Sequence, residues 1–284
     1  MSDKGAGVGF RGVLSKVQTW WTILRISLDE RLVYRGDFAL GTLMRFLPIV
    51  TQIFLWTAVF KSVQGGRVAG YSLPDFIAYY LLTMVARAFS SMPGLASQIA
   101  GQIRSGDIKK YLTQPIDLLG FMLLSRVAHK IAYYMIAIGP FALVFFLCRG
   151  YFSSVPSDVT TWLAFFLSLV LSFLLGFFLE ASMGLVGFWF LEVSSILFVY
   201  MLFSFFLSGH MFPLDMIDQP YKHLVIYSPL AYLAYFPAAV FLGKVTGWEL
   251  FWGIMAQVFW VVFFIGLSRV LLILGLRRYG GYGG

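Results

Sequence analysis

Cysteine is nearly absent: Cys148 is the only one among 284 residues. A single thiol excludes an internal disulfide and any multi-cysteine metal centre. Charge is scarce too, with Asp, Glu, Lys and Arg together at 12% of the chain, about half the share usual in soluble domains. The three histidines, His129, His210 and His223, fall in separate segments with no carboxylate cluster beside them. Each reads as an interfacial residue, and no metal site is expected. HExxH, CxxC and GxSxG are all missing, which removes the common zinc-hydrolase, redox and serine-hydrolase signatures. A GxxxxGK[ST] phosphate loop is missing as well. An ATP-binding cofactor site, or an enzyme of any of these kinds, is therefore not expected on this chain.

What the chain has instead is oil. Hydrophobic residues make up 60% and aromatics 19%. Residues 131–148, 159–179, 193–214, 223–243 and 250–268 contain no Asp, Glu, Lys or Arg, and run for 18, 21, 22, 21 and 19 residues. About 20 apolar residues, rising 1.5 Å each, cross a 30 Å hydrocarbon core. The composition predicts an all-α polytopic membrane protein. Its net charge of +8 does not point to nucleic acid, because the basic residues are scattered along the flanks of the apolar runs rather than gathered on one face. Residues 1–37 hold ten charged residues and no short apolar core followed by small residues, so a cleavable signal is not expected there.

Before the first span, Leu14, Val17, Trp21, Leu24, Leu28 and Leu32 recur at helical spacing, with Lys16, Thr22, Arg25 and Asp29 away from the stripe. Trp20 and Trp21 are the residue type that favours the headgroup level. The pattern predicts an amphipathic helix in the membrane interface, or else a helix packed on a soluble partner. Spans follow at roughly 38–60, 73–97, 118–148 (with Pro140 as a kink), 159–188, 193–207 and 248–274. Pro213, Pro220, Pro229 and Pro237 break residues 208–243. Four prolines are incompatible with one straight helix; two short helices dipping in from one side are expected. In the fourth span, Ser168, Ser172, Gly176, Glu180 and Gly184 recur every fourth position, a spacing that lets helix backbones approach closely. Six spans put both termini on one side. Thirteen Lys and Arg on that side against five in the opposite loops place the termini in the cytoplasm.

Ionisable residues in the spans or turns are few: Arg87, Glu180 and Glu192 are the candidates for ion coupling. The most conspicuous charge lies elsewhere, in GQIRSGDIKKYLTQPID, residues 101–117. Ser105 or Asp107 can cap a short helix there, Gly106 permits the turn into it, and Pro115 ends it. Ile108, Tyr111 and Leu112 share one apolar face, with Lys109 and Lys110 pointing elsewhere. About two turns of helix do not stand alone in water, so that face must dock, either on the neighbouring spans and lipid or on a cytoplasmic partner.

IRSGDIKKYLTQPID resembles the coupling-helix segment between spans 2 and 3 of type-2 ABC exporter permeases, on Arg104, Gly106, Ile108, Leu112 and Pro115. LSGHMFPLDMIDQP is similar to that family's segment after span 5, on Ser208, Gly209, Pro213 and Pro220. The resemblance covers nearly the whole chain and is nearest to six-span permeases without a fused ATPase. It implies an N-terminal elbow helix carrying Trp20, Trp21 and Arg25, within a cytoplasmic segment 1–37. It also implies a six-span transmembrane domain over 38–274 with re-entrant helices between spans 5 and 6, and a cytoplasmic tail at 275–284. The ATPase would be a separate subunit holding ATP and Mg, contacted by Arg104, Gly106, Asp107, Ile108, Lys109, Lys110, Tyr111, Leu112 and Pro115. A second permease chain, identical or similar, would complete an exporter in a bacterial plasma membrane, the inner membrane in a Gram-negative cell. An ion-coupled carrier and a non-transport membrane scaffold remain the alternatives.

Overall fold

The computed structural model describes residues 18–26, 35–62, 67–112, 117–152, 156–190 and 192–279. Regular structure among them is helical: α1 (residues 18–26), α2 (Arg35–Ser62), α3 (Leu73–Ser90), α4 (Leu95–Ser105), α5 (Lys109–Leu112) and α6 (Leu118–Leu147) form the first half. Then come α7 (Val159–Leu185), α8 (Ser194–Leu207), α9 (Tyr221–Ile226), α10 (Tyr235–Phe241) and α11 (Gly247–Arg278). Three stretches among the described residues are long and apolar enough to cross a membrane: Leu118–Leu147, Val159–Phe188 and Gly247–Arg278. Phe46–Ser62 and Ser194–Leu207 are shorter apolar helices.

The chain divides into two units. One joins residues 1–46 to residues 110–144. Within it Trp20 packs on the start of α6, where a Cβ added to Gly120 would lie 3.0 Å from the indole. Trp21 on the same short helix points outward and is 65% exposed, and Arg25 is exposed too. Leu14, Val17, Leu28 and Leu32, the flanks of the expected stripe, lie outside the described residues. Further along, Phe46 meets Phe141 edge to face, with ring centroids 5.2 Å apart.

The second unit joins residues 47–109 to residues 145–284 and is built around α7. Asp158 caps α7, accepting from the Thr160 amide, and the helix then packs on α3, α4, α10 and α11. Its small-residue stripe makes this possible. Ser168 and Ser172 are fully buried; a Cβ on Gly176 would lie 2.0 Å from the Ser90 carbonyl oxygen of α3. Gly184 admits Ala96 of α4, a Cβ there lying 2.7 Å from its carbonyl oxygen. Against α11, the contact is polar. Fully buried Gln257 donates through Nε2 to the Ser168 carbonyl (3.0 Å) and the Tyr232 carbonyl (3.3 Å). Ser172 Oγ reaches the same Tyr232 carbonyl at 2.7 Å. In hydrocarbon no water offers an alternative partner, so such bonds hold helices together at about 1 kcal/mol each.

One expectation changes. The span expected over 73–97 is two helices. Pro93 lacks an amide and cannot continue α3, and Gly94 takes a positive φ of 74° to start α4 in a new direction. The proline-broken region after α8 contains α9 and α10, of six and seven residues. At 1.5 Å per residue neither spans more than about 10 Å, so neither crosses. All of α10 is buried.

Candidate functional site

The second unit has two chemically different ends. At one, α4 finishes at Ser105 and Gly106 takes a φ of 82°, its amide donating to the Ile103 carbonyl at 3.3 Å. The Ile108 amide folds back to the Gln102 carbonyl at 3.1 Å, and Ser105 Oγ donates to Asp107 Oδ2 at 2.7 Å. Ser105 thus closes α4 rather than opening a new helix, and α5 is a single turn. Such a turn cannot support itself, and it is held by Ile108, whose side chain is 1% exposed. The spacing left open whether Ile108 docks on the chain itself or on a partner, and the resemblance placed it on the ATPase; its side chain faces inward as an anchor. Asp107 and Lys109 are exposed; in the first unit, into which the chain continues, Lys110 is exposed and Tyr111 half-buried, with the Lys110 ammonium 5.1 Å from the Tyr111 ring centroid. Tyr111 also tilts against Phe121, centroids 5.4 Å apart. The Leu112 side chain and Pro115 lie outside the described residues.

Arg104 approaches Glu192, in the turn before α8, at 3.8 Å. Both side chains are 63% exposed, so solvent screens the pair. Glu192 Oε1 also accepts from the Ser194 amide at 2.9 Å. The Ser194 hydrogen bonds, and after them the Arg104 charge, hold the Glu192 carboxyl below its ordinary range. The α4 end and the α7–α8 turn therefore share one surface. The C-terminal part of α11 reaches the same end, since a Cβ on Gly275 would lie 2.2 Å from the Phe188 ring.

The opposite end is a polar clasp, half-buried at its carboxylate. Asp215 Oδ2 accepts from Tyr71 Oη (2.7 Å) and Tyr235 Oη (2.8 Å), while Oδ1 lies 3.2 Å from Lys222 Nζ. Tyr71 follows a tight turn in which Ala69 and Gly70 have φ of 49° and 81°. Lys244 lies over its ring, 4.4 Å from the centroid, and donates to the Gly70 carbonyl at 3.0 Å. Burial, with Asp215 next, pushes the Tyr71 hydroxyl pKa far up, so the group remains a donor at any physiological pH. Four of the resemblance residues belong to this end or lead into it. Ser208 ends α8 fully buried, its carbonyl accepting from the Tyr235 amide at 2.9 Å. Gly209, with φ 75°, offers its carbonyl to Tyr79 Oη at 2.5 Å; Tyr80 Oη donates to the Met211 carbonyl and receives the Trp56 indole N–H at 2.8 Å. Pro213 is buried ahead of the turn Leu214–Met216, and exposed Pro220 opens α9. Exposed Tyr221, Tyr227, Trp248 and Trp252 surround this end, as residues at a headgroup boundary do.

A family model described as "ABC-2 family transporter protein" matches residues 46–283. The chain belongs to that family. No curated protein sequence matches it. This ABC-2 family member is a multi-pass membrane protein and the transport component of its system, a role that implies partnership with an ABC ATPase in general. The match takes in both ends just described, including Arg104–Leu112 and Ser208–Pro220.

Sequence reading passed over the tyrosines. Tyr71, Tyr79, Tyr80 and Tyr235 each carry a polar tip inside an apolar setting and must find an acceptor, which was a signal available in the sequence without saying which acceptor. Gln257, the one carboxamide in residues 250–268, offered the same signal. The span ionisables also come together. Tyr200 of α8 stands within electrostatic reach of Glu180 on α7 and Arg87 on α3, and Arg87 in turn of His210.

Proposed function

We propose that this chain is the permease subunit of an ABC-2 exporter, driven by a separate ATPase subunit that docks at residues 104–112. The supporting observation is a ledge of exposed Asp107, Lys109 and Lys110 fixed to the bundle by buried Ile108. A partner pressing on that ledge would push along α4, which packs directly on α7. Arg104 and Glu192 would carry the same push into the turn that starts α8. ATP and Mg belong to the ATPase; Lys109 and Lys110 meet its rim, with Tyr111 and Leu112 beside them.

The remainder of the reading follows from this orientation. The Arg104 end faces the cytoplasm, and the Asp215 clasp with its aromatic surround faces outward. Six spans cross, with α3 and α4 together forming the second, and α9 and α10 form a re-entrant pair between the fifth and sixth. The elbow helix within 1–37 and the tail at 275–284 are cytoplasmic, flanking the transmembrane domain at 38–274. Two such chains, identical or similar, enclose the conduit in a bacterial plasma membrane, the inner membrane in a Gram-negative cell.

Charge reversal of Lys109 and Lys110, or Leu112→Asp, abolishes co-purification with the partner ABC ATPase while membrane insertion is unchanged. Survival of co-purification would refute the docking assignment. A second reading, an ion-coupled carrier, draws on the Arg87, Glu180, Tyr200 and His210 group. It predicts proton- or sodium-dependent flux, lost in Glu180→Gln and indifferent to ATP.

A further inference from the structure

Beside the start of α7 lies a cavity of about 370 Å³, within the roughly 300–1,000 Å³ common for small-molecule sites. α3 contributes Leu82 and Val85 to its wall, α7 contributes Trp162 and Phe165, and α10 contributes Phe241. Phe241 meets Trp162 and Phe165 edge to face, with centroids 5.1 Å apart in each pair, and α10 is wholly buried. The core therefore holds these walls in place. Phe145 and Phe152, stacked with centroids 5.5 Å apart, complete the apolar lining. Among the described residues that line the cavity, Arg149 alone carries a charge.

That residue indicates the occupant. Arg149 opens the short turn Arg149–Tyr151, which packs on α3. Its guanidinium lies 4.6 Å from the Phe146 ring centroid, a contact that orients the group and leaves its charge uncompensated. Among the described residues no carboxylate lies within ion-pair distance of it. Asp158, the acidic residue nearest in sequence, is occupied at the start of α7 by the Thr160 amide and hydroxyl. An anion is drawn to such a site, whereas an ammonium group finds no partner among the lining residues. Phe146, Leu163 and Phe166, beside lining residues in sequence, are exposed, and apolar surface of that kind on a multi-pass chain faces lipid. Trp162, whose indole N–H donates to the Pro156 carbonyl at 3.0 Å, is the residue type found at the headgroup level. An apolar cavity bordered by lipid, with one cation at that level, complements an acyl chain under a net-negative phosphate head.

We infer that the cavity between α3, α7 and α10 holds an acyl chain of an anionic phospholipid whose phosphate pairs with Arg149. The site goes beyond the exporter reading. It needs only a multi-pass chain in a bilayer, and it stands or falls whether or not an ATPase docks at residues 104–112.

The test uses the full-length chain in phosphatidylcholine nanodiscs, doped at equal level with phosphatidylglycerol or phosphatidylcholine carrying a diazirine at mid-tail. Labelled peptides are read by mass spectrometry. Phe241 is 7% exposed, so a label on it reports occupancy of the cavity rather than bulk lipid. Phosphatidylglycerol should label Phe241 about fivefold more than phosphatidylcholine, the factor that one arginine contributes beside an anionic head. Arg149→Gln should bring the two lipids to equal labelling, and Arg149→Lys should keep most of the preference. Val85→Trp, which fills the cavity, should remove the label from Phe241 with either lipid, whereas Leu163→Trp, on the exposed side of α7, should leave it. Equal labelling of the wild type by the two lipids, no label on Phe241, or a preference that persists in Arg149→Gln overturns the proposal. A label that survives in folded Val85→Trp overturns it as well; should that variant fail to fold, the exposed Arg149 substitutions decide alone.

Discussion

The two ends of the α7 unit are built from opposite materials. At the Asp215 end, one carboxylate gathers two tyrosine hydroxyls and a lysine, and α10 is wholly buried behind them. At the Arg104 end, the Arg104–Glu192 pair is mostly exposed and the turn after α4 rests on one buried isoleucine. Partly desolvated bonds to charged groups are strong, whereas exposed pairs are screened. The first end is made to stay together. The second presents its charge outward, which suits a surface that another protein must grip and move.

Two glycines of nearly equal φ offer the sharpest way to break that contrast. Gly209 has φ 75°, and a Cβ there would lie 2.6 Å from Tyr79 Oη and 2.7 Å from Tyr235 Cβ. Gly209→Ala therefore combines left-handed strain with overpacking and should cost roughly 2–5 kcal/mol. Gly106, at φ 82°, incurs the backbone cost in Gly106→Ala, about 1–2 kcal/mol. Thermal unfolding followed by tryptophan fluorescence measures both; equal losses would show that the two ends are not packed differently.

Next in size is Asp215→Ala. It removes the acceptor of Tyr71 and Tyr235 and the partner of Lys222, a loss on the order of 3 kcal/mol. Tyr71→Phe alone removes one donor and should cost about 1–2 kcal/mol. A double-mutant cycle between the two positions should show coupling, since they share a bond. Strict additivity would mean that the clasp is not one network.

The smallest effect concerns Glu192. Its carboxyl pKa is lowered in the fold, by Ser194 and then Arg104, so its contribution is complete above the ordinary glutamate value near about 4.3. That contribution is lost as pH falls through the folded value. Amide exchange at the start of α8 should accelerate below that range in the wild type and be independent of pH there in Glu192→Gln. Global melting at neutral pH should be the same in both.

Much of this was readable from the chain. Helix limits came from long uncharged runs, and the close packing of α7 came from Ser168, Ser172, Gly176 and Gly184 at fourfold spacing. The split at Pro93–Gly94 was overlooked because the apolar pattern continues across it, although proline and glycine both argue for a break. Ile108 shows a deeper limit. Periodicity puts it on one face with Tyr111 and Leu112, yet which way that face turns depends on how Gly106 redirects the chain after α4. The clasp was unreadable for a related reason. Tyr71 and Asp215 are 144 positions apart, and no local pattern names an acceptor at that distance.

The docking of an ATPase on residues 104–112 can be measured directly. With Cys148→Ser as background, single cysteines at Lys110 and at Lys222 are crosslinked in membranes containing the co-expressed ATPase. Crosslinking at position 110 that changes with ATP, and none at 222, is the predicted result. Crosslinking at 222 instead, or labelling of 110 by an impermeant thiol reagent in intact cells, would contradict it.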